Sequence, residues 1–79
     1  MNVVEDIRSA VSIAREFLIK EAGLSDLWLY LEEAGLEDDV WEIKFRYEDP
    51  FAEGYYVVKV NKKTGKIVYF RRLKKKEEE

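Results

Sequence analysis

The amino-acid sequence predicts an α+β fold, a two-layer sandwich with helices on one face of a three-stranded antiparallel meander sheet. Two patterns indicate this class. Apolar residues recur at steps of three and four near the N-terminus, and at every second position in the segment VWEIKFRYE. With 79 residues, the chain has the length of one small domain, to which we assign residues 1–73.

The first predicted element is an amphipathic helix of about five turns. Asn2 is a good N-cap residue, and Glu5 follows three residues later, as in a capping box. Gly23 and the apolar Leu24 after it predict a helix end in which the glycine is left-handed. The apolar stripe between these ends comprises Val4, Ile7, Val11, Ala14 and Leu18.

A second, short helix is predicted across residues 26–34. Ser25 is a candidate N-cap, and Gly35 with Leu36 repeats the pattern that ends the first helix. The five consecutive apolar residues Leu27–Leu31 are also typical of a buried strand. The two caps favour the helix.

The first predicted strand is VWEIKFRYE, which has one apolar and one charged face. The segment DPFAEG then turns the chain, because Pro50 cannot continue a strand ladder. The apolar face should meet the helices together with residues of the next two strands. The predicted core of the sheet is Trp41, Ile43, Phe45, Val58, Val60, Ile67 and Tyr69.

The last two strands are predicted as a hairpin around NKKTGK. Asn61 can bond the backbone of its own turn, and Gly65 can take the positive φ of a type I turn with a bulge. The predicted register sets Val60 opposite Ile67, Val58 opposite Tyr69, Lys59 opposite Val68, Val57 opposite Phe70, and Tyr55 opposite Arg72. After Leu73, KKKEEE has nothing to bury, and we predict a charged disordered tail over residues 74–79.

The composition excludes several kinds of chemistry. The chain has no Cys and no His, so it lacks thiolate nucleophiles, cysteine–zinc sites and the usual general base. Its carboxylates are adjacent along the chain, whereas acid/base pairs face each other across a pocket. We therefore expect no enzymatic activity, no cofactor and no metal site. The N-terminus does not resemble a signal peptide and no apolar run could span a bilayer, so we expect a soluble cytoplasmic protein without membrane contact.

Charged residues make up 39% of the chain, and Glu and Lys dominate them. This composition is typical of a hyperthermophile protein, the interpretation we favour, and also of a designed protein without biological function. The charge is unevenly distributed: residues 1–53 hold 14 acidic and 5 basic groups, whereas residues 54–79 hold 3 and 9. Such asymmetry can indicate an anionic partner, but attraction between the two halves explains it more simply.

The segment YYVVKVNKKTGKIVYF resembles the last hairpin of PepSY-type domains. In that family a tyrosine-led strand, Asp or Asn, a Thr-Gly turn and a valine-rich strand follow one another. The layout is also similar to gas-vesicle accessory proteins of the O type, with Tyr69, Arg71 and Arg72 at the matching ending. PepSY domains are often extracytoplasmic and are thought to bind or inhibit protein partners. Both resemblances imply a binding or accessory module rather than a catalyst.

One layer of helices cannot cover both faces of the sheet, and the second face is our candidate site. We expect it to contact protein, most simply in a two-fold homodimer. The alternative is a stacking platform for single-stranded nucleic acid, which the acidity of the chain and of Glu42 and Glu48 opposes. A patch without function is the third interpretation. The candidate residues are Tyr55, Val57, Val68 and Phe70, edged by Lys44, Arg46, Lys59 and Arg72.

Overall fold

The computed structural model describes residues 6–73. Its strands form one antiparallel meander sheet in the order β1-β2-β3-β4, and α1 packs across β1, β2 and β3 on one face. The α+β class is therefore confirmed, but the sheet has four strands rather than three. The elements are α1 (Ile7–Glu21), a 3-10 turn (Asp26–Trp28), β1 (Leu29–Glu37), β2 (Val40–Glu48), β3 (Glu53–Asn61) and β4 (Ile67–Leu73).

Helix α1 begins later than predicted and ends as predicted. Asp6 is the N-cap, and its carboxylate accepts a hydrogen bond from the Ser9 backbone at 2.8 Å. That bond lowers the pKa of Asp6. The predicted capping box at Asn2 and Glu5 lies outside the described residues. At the other end Gly23 has φ 71°, and the Leu24 backbone donates to the carbonyl oxygen of the helix residue Leu18, so the left-handed cap is confirmed.

The prediction of a second helix over residues 26–34 is wrong. The Ser25 hydroxyl caps only a 3-10 turn, in which it accepts from the Leu27 backbone at 3.3 Å. From Leu29 onward the chain is extended, and Gly35 lies inside a strand rather than at a helix end. Burial of Leu29 in the core and pairing along β2 outweigh the local capping signals.

Strand β1 contains a β-bulge at Glu32, where the pairing with β2 shifts by one residue. Leu31 lies on the face toward α1 before the bulge, and Ala34 and Leu36 return to that face after it. A two-residue turn at Asp38 (φ 58°) and Asp39 then leads into β2. The bulge lets a segment with irregular apolar spacing keep one side toward the helix.

The turn between β2 and β3 is held by the carboxylate of Asp49. It accepts hydrogen bonds from the backbones of Phe51 and Ala52, at 2.8 and 2.6 Å, and from the Tyr47 hydroxyl at 2.7 Å. The bond from Tyr47 is the main reason that the pKa of Asp49 is lowered. The same bond raises the pKa of Tyr47.

The turn between β3 and β4 confirms the prediction for NKKTGK. The Asn61 side chain accepts from the backbones of Lys63 and Thr64, at 2.8 and 3.0 Å, and Gly65 has φ 75°. The Gly65 backbone donates to the Asn61 carbonyl oxygen at 2.8 Å. This turn sets the hairpin in its register at Val60 and Ile67, which pair as predicted.

Beyond that first pair the predicted β3–β4 register is wrong by one residue. A bulge places Val68 without a cross-strand partner in β3, so Tyr69 lies opposite Lys59 and Phe70 opposite Val58. Phe70 therefore faces α1, where its ring lies 5.3 Å from that of Phe17 in an edge contact. The extra residue reverses the faces that the alternation assigns to the rest of β4.

The core lies between α1 and the sheet. Arg15 holds the two layers together, because its guanidinium donates to the Leu29 carbonyl oxygen at 3.1 Å and lies 5.3 Å from the Phe45 ring centroid. Most of the predicted core is confirmed, with Ile67 partly buried, but Tyr69 is 42% exposed and lies on the other face. The buried cluster consists of Ala10, Ala14, Leu18, Leu29, Trp41, Ile43, Phe45, Tyr56, Val58 and Val60.

Candidate functional site

The face of the sheet that points away from α1, called the open face below, is the candidate site. Within residues 6–73 no helix covers it, since α1 lies on the other side. Its side chains come from alternate positions on all four strands, and the strand register arranges them in three rows. From β1 to β4 the rows are Gly35–Glu42–Lys59–Tyr69, Glu33–Lys44–Val57–Arg71, and Tyr30–Arg46–Tyr55–Leu73.

The structure brings together about half of the predicted site residues. Tyr55, Val57, Lys44, Arg46 and the edging Lys59 lie on the open face. Phe70 and Arg72 do not, because the bulge in β4 turns them toward the helix side. There Arg72 lies 5.9 Å from the ring centroid of Tyr56, and Phe70 is stacked on the same ring at 6.1 Å. Val68 lies at the bulge itself.

Six of the twelve open-face residues are not predicted there, among them Tyr30, Tyr69 and Arg71. The sequence patterns assign Tyr30 to a helix, Tyr69 to the core, and Arg71 to the face opposite the one it occupies. For Tyr30 a signal exists, since the Asp-Asp pair that precedes β2 is a good two-residue turn between strands. For Tyr69 and Arg71 the sequence has no signal of the bulge that moves them.

Each tyrosine of the open face has a cation over its ring. The Arg46 guanidinium lies 4.8 Å from the Tyr30 ring centroid, and the Lys44 ammonium lies 5.3 Å from that of Tyr55. Lys59 covers Tyr69 in the same way, at 5.1 Å. Such contacts contribute about 0.5–1 kcal/mol each at exposed sites, and they hold the long side chains flat against the sheet.

The centre of the open face is apolar and already shielded from water. Val57 is only 7% exposed, although no helix covers it, because Lys44 and Arg71 flank it in the same row. Val57 itself lines a concave region of about 450 Å³ that extends over all four strands, from Gly35 on β1 to Tyr69 and Arg71 on β4. A Cβ added to Gly35 would meet nothing within 4 Å, so the missing side chain leaves open space there.

The two edges of the sheet carry opposite charge. Strand β1 contains three glutamates and no basic residue, whereas β4 contains two arginines and no acidic residue. Arg46 neutralises part of the acidic edge through ion pairs with Glu32 and Glu48. Among the described residues, neither Glu33 nor Glu42 forms an ion pair. On the open face, Glu33 and Glu42 lie on β1 and β2 together with Lys44 and Arg46, whereas β3 and β4 carry only the cations Lys59 and Arg71.

The described part of the chain meets neither the requirements of a metal site nor those of a membrane-spanning helix. Residues 6–73 contain no group of three or more carboxylates that could hold a metal ion. No helix in this range combines the length and apolar character needed to cross a bilayer.

Comparison with known proteins finds no match for this chain, whether among protein-family models, curated proteins or solved structures.

Proposed function

We propose that this protein is a non-catalytic interaction module that associates with a second copy of itself through the open face. The observation that carries the proposal is the apolar centre at Val57, surrounded by Tyr30, Tyr55 and Tyr69 on a face that no helix among residues 6–73 covers. Tyrosines are enriched at protein interfaces, because each combines a large apolar ring with a polar hydroxyl.

The dimensions of the face support a stable contact. The described part of the chain measures 39 × 26 × 17 Å, so one broad face covers at most about 1,000 Å². Interfaces of standard size bury about 800 Å² on each partner. A second sheet can pack on the first at about 10 Å, the usual distance between facing sheets.

The small size of the domain gives a second reason for association. Chains below about 70–80 residues rarely gain more than about 3–5 kcal/mol from a single core. Here α1 covers one face of a four-stranded sheet, and half of the sheet surface contributes little to the core. The resemblance of the β3–β4 hairpin to PepSY-type and gas-vesicle accessory proteins also favours a binding role.

Single-stranded nucleic acid is the second candidate partner. Three tyrosines and three cations on an exposed antiparallel sheet are the components of a base-stacking platform. The same face carries Glu33 and Glu42, which repel phosphates, and the chain has a net charge of −3. These negative charges favour a protein partner over nucleic acid.

Sedimentation equilibrium from low to high micromolar concentration tests the proposal. We expect the parent protein to shift from monomer to dimer over this range. Tyr55→Glu should remain monomeric, because it replaces an aromatic contact with a charge beside the apolar centre at Val57. Ser12→Glu is the matched control: it adds the same charge on the exposed side of α1 and should dimerise as the parent does.

Two outcomes would overturn the self-association proposal. One is a parent protein that stays monomeric at high micromolar concentration, and the other is a Tyr55→Glu variant that dimerises normally. The same samples should be titrated with a labelled mixed-sequence oligonucleotide at low salt. Binding that disappears at high salt and in Tyr55→Glu would favour the nucleic-acid function instead.

A further inference from the structure

The charge pattern of the open face also constrains how two copies can face each other. In the row Glu33–Lys44–Val57–Arg71, an acidic residue lies at one edge and a basic residue at the other. The two lie three strand spacings apart, about 14 Å, and among the described residues no ion pair joins them. A second copy laid on the face can supply the opposite charge to each edge.

Two simple two-fold axes bring identical sheet faces together. An axis perpendicular to the strands, in the plane between the sheets, places each strand over its own copy. Centred on the middle row, it sets Glu33 against Glu33 and Arg71 against Arg71 of the second copy. An axis parallel to the strands instead places β1 over β4 and reverses each row. In the middle row, only the second arrangement faces acid with base; the perpendicular axis faces acid with base only outside that row, at Glu42 and Arg46.

We propose that the two copies are related by an axis parallel to the strands, so that the acidic β1 edge of each lies over the basic β4 edge of the other. This inference rests on the proposed self-association. In the middle row it faces Glu33 with Arg71 of the second copy. In the neighbouring row, Glu42 faces Lys59 of the second copy. Each contact occurs twice by symmetry.

The shape of the face fits the same arrangement. Reversal of the row Gly35–Glu42–Lys59–Tyr69 places Tyr69 of the second copy over Gly35. The space at Gly35 is open, and Tyr69 is 42% exposed, so a ring from one copy can enter the concave region of the other. The perpendicular axis places Tyr30 of the second copy over Gly35 instead, so the middle-row charges, and not the space at Gly35, distinguish the two axes.

Charge reversal at Glu33 and Arg71 tests this geometry. In the proposed dimer, Glu33→Lys alone faces Arg71 with a lysine, and Arg71→Glu alone faces Glu33 with a glutamate. Each variant should raise the dimer dissociation constant about tenfold or more, because two attractive contacts become repulsive. An equimolar mixture should recover dimers of one chain of each kind. In such a dimer the lysine of Glu33→Lys faces the glutamate of Arg71→Glu, and native Arg71 faces native Glu33. Native mass spectrometry resolves the three possible dimers by mass.

Arg72→Glu is the matched control, since it makes the same charge change on the adjacent residue, which faces the helix side. Its dissociation constant should stay within about threefold of the parent value. Loss of association in both single variants, with recovery in their mixture, supports the parallel axis. The parallel axis is overturned if either single variant dimerises as the parent does, or if the mixture of the two variants does not regain association. If the parent protein dimerises but the parallel axis is overturned, the proposed self-association still stands. If the parent protein is monomeric, both the self-association and the parallel axis are wrong.

Discussion

The two faces of this sheet bury apolar residues by different means. On the helix side, α1 supplies Ala14 and Leu18, which pack against Ile43 and Val58 until all four are fully buried. On the open face, Val57 is nearly as buried, but its cover consists of long charged side chains of the sheet itself. The first cover is fixed by the fold, while the second can be displaced. At the same degree of burial, truncation of a side chain should therefore lower the free energy of unfolding more on the helix side than on the open face.

Substitution of the adjacent valines gives the largest expected contrast. Val58→Ala should lower the free energy of unfolding by about 2–3 kcal/mol, because it leaves a cavity between α1 and the sheet. Val57→Ala should cost less than half of that, since the flexible side chains above it can close over the gap. Chemical denaturation at low concentration measures both. Equal losses would contradict the distinction between the two covers.

Alanine substitution of neighbouring aromatics in β4 sharpens the comparison. Phe70→Ala should destabilise the monomer by about 2 kcal/mol through loss of its contacts with Phe17 and Tyr56, reduced by its 39% exposure. Tyr69→Ala should change monomer stability by less than about 1 kcal/mol and should weaken association instead. Thermal melts and sedimentation separate the two effects. If Tyr69→Ala destabilised the monomer and Phe70→Ala weakened association instead, the bulge at Val68 would not form.

The β3–β4 turn maintains the register that sorts residues between the faces. Gly65 has φ 75°, a region that a β-branched residue strongly disfavours, so Gly65→Val should destabilise by about 1–2 kcal/mol. Lys66→Val changes an exposed neighbour outside that region and serves as the control in the same thermal melt. An unchanged melting temperature in Gly65→Val would contradict the left-handed turn.

The smallest expected effect is the pH dependence of stability. The pKa values of Asp6 and Asp49 are lowered in the folded state, so their contribution is present above their unfolded pKa of about 4 and is lost as the pH falls through the folded values. The pKa of Tyr47 is raised in the folded state, so its contribution to stability is present below its unfolded pKa of about 10 and is lost as the pH rises through the folded value. Denaturation between about pH 2 and 7 should show a shallower acid loss for Asp49→Asn than for the parent. Superimposable curves would contradict this role of Asp49.

The elements predicted correctly from the sequence are those with an unbroken local pattern. α1 has regular helical spacing up to Gly23, β2 alternates strictly, and Asn61 and Gly65 define their turn without help from the rest of the fold. These signals depend on neighbours in the chain, and a single sequence contains them in full.

The errors have one physical cause, the β-bulge. At Glu32 a bulge changes the apolar spacing of β1 from two to three, which also fits a helix, and the capping residues then favour the wrong element. At Val68 a second bulge moves Tyr69 and Phe70 to opposite faces from those that alternation assigns. The face that a residue occupies after a bulge depends on contacts outside its strand, such as that of Phe70 with Phe17 of α1, so residues along β1 or β4 alone do not reveal the bulge.

The five tyrosines of the chain can report directly whether a second copy covers the open face, because they lie on both sides of the sheet. Tyr30, Tyr55 and Tyr69 lie on the open face, whereas Tyr47 and Tyr56 lie on the helix side. Hydroxyl-radical footprinting should be carried out at concentrations below and above the association midpoint. If a second copy covers the open face, only the three open-face tyrosines should become protected from labelling as the protein concentration rises. Unchanged labelling of these three while the mass doubles, or protection of Tyr47 and Tyr56 instead, would contradict this coverage of the open face.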